Sequence, residues 1–297
     1  MRKRLLRVGL RLTLALASPA AALAHDSWLE RRDTPPPGLP ATTVELALTT
    51  GELFPISQTP IAAASLTQRA CQSTTGRQVA LRPGRASASA LSLHARAAEG
   101  PRANGAPDAL HTCWVQTEAF DVQVADHLVP VYLREIGAPE PVRQAWAEMQ
   151  QLGQPWIERY TKHARISFEA QAEVEPQTDS LGAPPMALDI EIEAMSALRA
   201  GQQLHFRVLR DGVPLAHQAV ELRGAMSRLG LWRRTDAEGR ASVPLLFAGR
   251  WVLRAVDLRP APGRPGQWES RFVTHAFSAR AAASSAPAPE AAPPPTR

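Results

Sequence analysis

Turn-forming residues break this chain into short segments, and within those segments apolar residues alternate. The 297 residues include 27 prolines and 18 glycines. From residue 186 onward the reading is strand and turn throughout. Leu188, Ile190 and Ile192 share one face of a short run, and residues 201–210 form the next strand. Asp211-Gly212 is a hairpin turn, with residues 214–222 as the returning strand. Thr235-Asp236-Ala237-Glu238-Gly239 turns the chain into residues 241–246, Gly249 opens the strand 251–256, and residues 269–277 close the sheet. Strands at intervals of about 10 residues with such turns predict an antiparallel sandwich.

The first half reads similarly. Residues 43–49 place Val44, Leu46 and Leu48 on one face, and residues 78–81, 88–93 and 113–117 are further strands. A loop rich in Gly, Pro and Asn over residues 97–108 separates the last two. Helical spacing then takes over across residues 125–160. Pro141 opens a helix running to Gln151, with Trp146, Met149 and Leu152 as its apolar stripe. Trp156 starts a further turn that reaches Tyr160, and the tryptophans are read as core. The fold expected is mainly β: two β-sandwich-like domains, 25–172 and 186–280, with a short helical insert between them. Residues 173–185 form a polar, Pro-rich linker. Residues 281–297, made mostly of Ala, Pro and Ser, form a disordered tail.

The first 24 residues predict a cleaved secretory signal peptide. Arg2, Lys3, Arg4, Arg7 and Arg11 form a basic head, residues 12–23 are apolar, and Ala22-Leu23-Ala24 offers small residues for a signal peptidase. The apolar run is too short to span a bilayer, and nothing after it spans one. The expected location is the periplasm. Removing those five cations from the 33 Lys and Arg leaves 28 against 28 acids. The excess of +5 therefore belongs to the export tag and argues for no nucleic-acid partner. In an oxidising compartment the two cysteines, Cys71 and Cys113, most often pair in a disulfide; the alternative is two free thiols, one of them a metal ligand.

Cleavage after Ala24 makes His25 the first residue. Its α-amine and Nδ1 then form a two-nitrogen clamp for a transition metal, copper first, with nickel or cobalt behind it. Asp26 adds an oxygen ligand or orients the site. His127 and His163 flank the helical region and are the candidates to complete the set. The other histidines, His94, His111, His205, His217 and His275, are scattered. Lys162 is the one lysine after residue 24 and sits beside Tyr160. An ammonium does not do what a guanidinium does, so Tyr160 and Lys162 mark an ion pair or ligand contact. No nucleophile elbow or phosphate loop is present, and catalysis is not expected.

His25-Asp26-Ser27-Trp28-Leu29-Glu30, Gly51-Glu52-Leu53-Phe54-Pro55, Tyr132-Leu133-Arg134-Glu135 and Glu158-Arg159-Tyr160-Thr161-Lys162 follow one another in order. Val208-Leu209-Arg210-Asp211-Gly212-Val213-Pro214-Leu215, Thr235-Asp236-Ala237-Glu238-Gly239-Arg240, Gly249-Arg250-Trp251 and Trp268-Glu269-Ser270 continue the series. Together they resemble an exported bacterial family of unknown function related to NikM-type nickel/cobalt uptake proteins. The resemblance implies a periplasmic protein with an immunoglobulin- or prealbumin-like C-terminal sandwich. It carries over His25, Asp26, Tyr160 and Lys162 as positions of interest. The expected role is a periplasmic metal-binding or metal-uptake accessory protein, with an envelope transporter or receptor as partner. A non-catalytic β-sandwich scaffold of the envelope, without metal, is the alternative.

Overall fold

The structure, a computed structural model, describes residues 25–32, 43–73, 76–96, 110–168, 186–193 and 198–282. The predicted signal segment and linker, and the tail beyond residue 282, lie outside the described residues. The strands of the first half are β1 (Asp26–Arg31), β2 (Thr43–Gly51), β3 (Thr59–Pro60), β4 (Leu66–Ser73), β5 (Gln78–Ala80), β6 (Arg82–Ala86), β7 (Ala90–Arg96), β8 (Leu110–Thr117) and β9 (Phe120–Val124). Helices α1 (Val129–Glu135) and α2 (Glu140–Gln151) follow, then β10 (Trp156–Ser167). The second half holds β11 (Leu188–Ile192), β12 (Gln203–Arg210), β13 (Val213–Pro214), β14 (Ala219–Gly224), β15 (Leu231–Arg234), β16 (Arg240–Pro244), β17 (Gly249–Pro260) and β18 (Gln267–Ala279).

A nine-stranded sheet runs β15-β14-β17-β18-β10-β8-β4-β5, with β9 also on β10. Its centre is the parallel pair β10 and β18, in register from Ile157 opposite Gln267 to Ile166 opposite Ala276. A β-sheet joined there edge to edge serves both halves of the chain. Over His163–Ser167 and Phe272–Phe277 both strands are buried on both faces, as central parallel strands generally are. On one face lies the sheet of β1, β2, β7, β6 and β3. Leu29, Leu46, Leu48, Leu91 and Leu93 pack there on Cys71, Cys113, Val115, Ala164, Ile166 and Ala276. On the opposite face lies the sheet of β11, β12, β13 and β16, whose Leu188, Ile190, Leu204, Phe206 and Val208 meet Val220, Leu253, Val273 and Phe277. Alternation on each strand produces this division: Trp114 faces one layer while its neighbours Cys113 and Val115 face the other. The architecture is mainly β, as expected, with each half building a sandwich. The covering sheets lie on opposite sides of the shared one.

The helices cover the rest of the first face. Pro141 in the first turn of α2 starts it where no backbone donor is needed. Val142, Trp146 and Met149, at spacings of four and three, face the sheet and meet Trp156, Val256, Leu258 and Trp268. Burying each such side chain contributes about 1.5–3 kcal/mol.

Three expectations are corrected. Residues 156–160 are not helical but begin β10, because Trp156, Glu158 and Tyr160 alternate along a strand whose other edge β9 pairs. Leu152 is exposed at the end of α2, and Val142 takes its place in the stripe. Residues 214–222 are not one strand: Val213–Pro214 pairs with β12, and the chain then crosses so that Ala219–Gly224 joins the nine-stranded sheet. The hairpin turn at Asp211-Gly212 is present, with φ of 50° and 78°. The two cysteines form a disulfide between directly opposed positions of β4 and β8.

Candidate functional site

Four of the singled-out residues converge on one seam, where β1 lies across β10, β18 and β17. Thr274 on β18 donates to the Ser27 carbonyl at 2.6 Å and anchors β1 there. Lys162 Nζ donates to the His25 carbonyl at 2.9 Å and lies 5.8 Å from the centre of the Tyr160 ring. Burial pulls the Lys162 ammonium down to about 8, against the pull of Asp26, which favours its charge. Asp26 is ion-paired with Arg254 Nε at 2.8 Å, and Arg254 Nη1 reaches Glu221 at 2.8 Å. Burial works against the Arg254 charge, yet Asp26 and Glu221 outweigh it and raise its pKa. Arg223 continues the chain of charges, pairing with Glu221 at 3.0 Å and donating to the Glu52 carbonyl at 3.3 Å.

His25 stands at the solvent end of this seam. Its Nε2 lies 3.2 Å from a Glu52 carboxylate oxygen, while its Nδ1 has no hydrogen-bond partner among the described residues. Glu52 follows β2, whose last residue Gly51 is directly opposite Asp26. The β1–β2 register therefore brings Glu52 to His25. Asp26, by contrast, is turned inward and neutralised by Arg254, which leaves it little capacity as a metal ligand.

The other two candidate ligands lie elsewhere. His163 follows Lys162 on β10 and so points to the opposite face of the sheet. It is buried there, with Nδ1 2.8 Å from the Phe272 carbonyl, and burial pulls its pKa down to about 4. His127 is exposed in the turn before α1, with no hydrogen bond to His25 or Asp26. Among the described residues no group of three or more His, Cys, Asp or Glu side chains is placed to hold a metal ion.

Sequence reasoning gave no role to Glu52, Glu221, Arg254 or Glu158. Arg254 carried a signal: it interrupts an otherwise apolar stretch from Trp251 to Val256, where an arginine needs a buried partner. Glu158 sits farther along the same face of β10 and accepts from Trp156 at 2.7 Å, Tyr132 at 2.8 Å and Ser270. Burial pushes its pKa up, and those three donors hold it down in part. Trp156 stacks on Trp268 beside it, with ring centres 4.6 Å apart. This cluster ties the helices to the sheet.

Fold and seam together define a mainly β protein of several packed sheets, with a charged seam that fixes the strand beginning at Asp26. The chain belongs to the family described as a domain of unknown function, DUF4198, whose model matches residues 22–257. No curated protein matches it. Among the described residues no helix is long and apolar enough to cross a membrane.

Proposed function

We propose that this is an exported protein that binds a transition metal through His25 and serves metal uptake in the periplasm. The observation that carries the reading is the state of His25: Glu52 holds Nε2, Lys162 holds the carbonyl, and Nδ1 is left without a partner. Cleavage after Ala24 adds a free α-amine to the same residue. Amine and Nδ1 then form a compact chelate, and Glu52 on Nε2 is the outer partner that orients such a ring. An α-amine has an ordinary pKa near 8, so a divalent metal displaces its proton at neutral pH. Two nitrogen donors favour Cu(II) over Ni(II) and Co(II).

The chain supplies no third clustered ligand among its described residues, so the remaining positions fall to water or to a partner. That suits a carrier which passes its metal to an envelope transporter or receptor. Kinship with NikM-type nickel/cobalt uptake proteins is part of the same reading. A metal-free binding module of the envelope is the second reading. It is favoured by Met226 and Leu229, which are exposed apolar side chains on the hairpin between β14 and β15.

Calorimetric titration of the processed protein with Cu(II) and then Ni(II) tests the first reading, beside a protein with one extra residue ahead of His25. One site, lost on extension, is the expected result. Absence of binding in both proteins refutes it, and contact with an envelope partner that survives a chelator then supports the second reading.

A further inference from the structure

We infer a second binding site, independent of His25, in the cleft between the end of α1 and β15, and assign it to an anionic sugar: one saccharide ring carrying a phosphate or carboxylate. The cleft has a volume of about 360 Å³ and is lined by Arg134, Gly137, Ala219, Trp232, Arg233 and Arg234. Small-molecule sites span about 300–1,000 Å³, so this one suits a single ring with its anionic group.

The charge in the cleft has one sign. Three of the six lining residues are arginines and none is acidic. Other arginines of the chain are matched to acids, as Arg165 is to Asp189 and Arg207 to Glu191. Arg134, Arg233 and Arg234 have no such partner among the described residues. Glu221, opposite Trp232 on the neighbouring strand, is already held by Arg223 and Arg254. An incoming anion therefore meets guanidinium groups without having to displace a carboxylate.

One of the three is already positioned in the cleft. Arg234 donates through Nη1 to the His217 carbonyl at 3.1 Å and through Nη2 to the Gly137 carbonyl at 3.3 Å. Arg233, next to Trp232 on β15, turns to the other face of the strand, where its Nε donates to the Ser242 carbonyl at 3.1 Å, so it borders the cleft without pointing into it. A guanidinium has five N–H groups, so Arg234 keeps donors for a ligand while losing little side-chain freedom when it binds. Arg134, exposed at the end of α1, is free to close over it.

Trp232 explains why a bare anion is not the best ligand. Its indole is 39% exposed, which is unusual in a chain whose other described tryptophans are buried. Gly137 gives it room: a Cβ there would lie 3.0 Å from Trp232 Cζ3 and 2.9 Å from the Ala219 Cβ, on a backbone with φ of +61°. Any side chain at residue 137 would strain the turn and push the indole away. The result is an aromatic surface beside guanidinium forks, and the C–H face of a sugar ring uses the first while its phosphate or carboxylate uses the second.

The test is calorimetric titration of the full processed chain with glucose 6-phosphate, glucuronate, glucose and inorganic phosphate. At least one of the two anionic sugars should bind saturably. Glucose and inorganic phosphate should each bind about tenfold more weakly or worse, the scale of one lost charge-assisted hydrogen bond. Arg134→Gln, which removes an exposed side chain, should weaken the anionic sugar by a similar factor with the melting temperature unchanged. Trp232→Ala should weaken the sugar but not inorganic phosphate. The inference is overturned if neither anionic sugar binds, if inorganic phosphate binds as tightly as the sugar phosphate, or if Arg134→Gln leaves binding unchanged. A residue added ahead of His25 should not alter this binding, so the two proposals fail separately.

Discussion

Acidification should drain stability from this protein through two buried histidines, and the effect is large enough to measure ring by ring. His275 lies between the nine-stranded sheet and β11. Its Nδ1–H donates to the Ile190 carbonyl at 2.6 Å, and its Nε2 accepts from the Ser167 hydroxyl at 2.8 Å. Those partners satisfy the neutral ring completely. A second proton would place a charge in an apolar layer, near the Arg165 guanidinium, and burial with that repulsion pulls the pKa down to about 3. His163 is held through Nδ1 by the Phe272 carbonyl, while its buried Nε2 has no partner. Burial is the main reason its pKa falls to about 4; Arg271 lowers it further, and Asp211 and the Phe272 carbonyl oppose.

The sign follows from which state takes up protons. Below the ordinary value of 6.5 the unfolded chain protonates both rings and the folded chain does not. Stability present above that pH is therefore lost as pH falls toward each folded pKa. At about 1.4 kcal/mol per pKa unit, each ring contributes a loss of about 3 kcal/mol at pH 4. Together they remove about 6 kcal/mol from a fold whose total stability is of order 5–15 kcal/mol. Urea unfolding followed by tryptophan fluorescence reads this directly. With a slope of about 3 kcal/mol/M for a chain of this size, the midpoint should fall by about 2 M between pH 7 and pH 4. His275→Gln keeps a donor and an acceptor but cannot titrate, so its loss over that range should be about 3 kcal/mol smaller. Carboxylates titrate in both proteins alike, and comparing the two isolates the histidine. If wild type and His275→Gln lose stability in parallel over that range, the reasoning is refuted.

Two further perturbations test the packing. Cys71 and Cys113 close a loop of 42 residues, so replacing both with Ser should cost about 4 kcal/mol by chain entropy, seen as a lower urea midpoint under non-reducing conditions. Arg165 and Asp189 form a buried pair joining β10 to the start of β11. Asp189→Leu alone strands a buried guanidinium and should cost about 3–5 kcal/mol, whereas Arg165→Met with Asp189→Leu should recover most of that loss. Equal destabilisation of the single and double variants in a double-mutant cycle would count against the pair.

The strands were legible where one face is buried and the turn chemistry is local. Leu188–Ile192 and the Asp211-Gly212 turn needed nothing beyond alternation and a residue pair that tolerates positive φ. Trp156 to Tyr160 misled although they do alternate: Trp156 and Glu158 are buried under the helices while Arg159 on the other face is exposed. Five residues that closely follow a helix, with an acid at a buried position, are too few for period alone to separate a strand from one more helical turn. Likewise nothing local in Val213 to Leu222 says that the chain changes sheets. Pro214 still pairs with Leu209, and Ala219 with Arg234 in a different layer.

The candidate site shows the same division between what is local and what is assembled. Lys162 stood out by composition, and His25 by its place right after Ala22-Leu23-Ala24. What joins them, 137 positions apart, is the packing of β1 across β10 and β18. That packing depends on the parallel pair, which no turn connects and no sequence pattern announces. Arg254 and Glu221 follow from it: once β1 lies there, Asp26 is carried into the interior and needs a cation, and Arg254 in turn needs a second acid because it is wholly enclosed. Two carboxylates around one guanidinium leave one negative charge, which Arg223 on Glu221 cancels. Lys162 stands beside that neutral set, near Asp26, and ties β10 to the His25 carbonyl. Its ammonium, a compact donor on a flexible stem, meets that carbonyl as a point charge rather than as a planar fork.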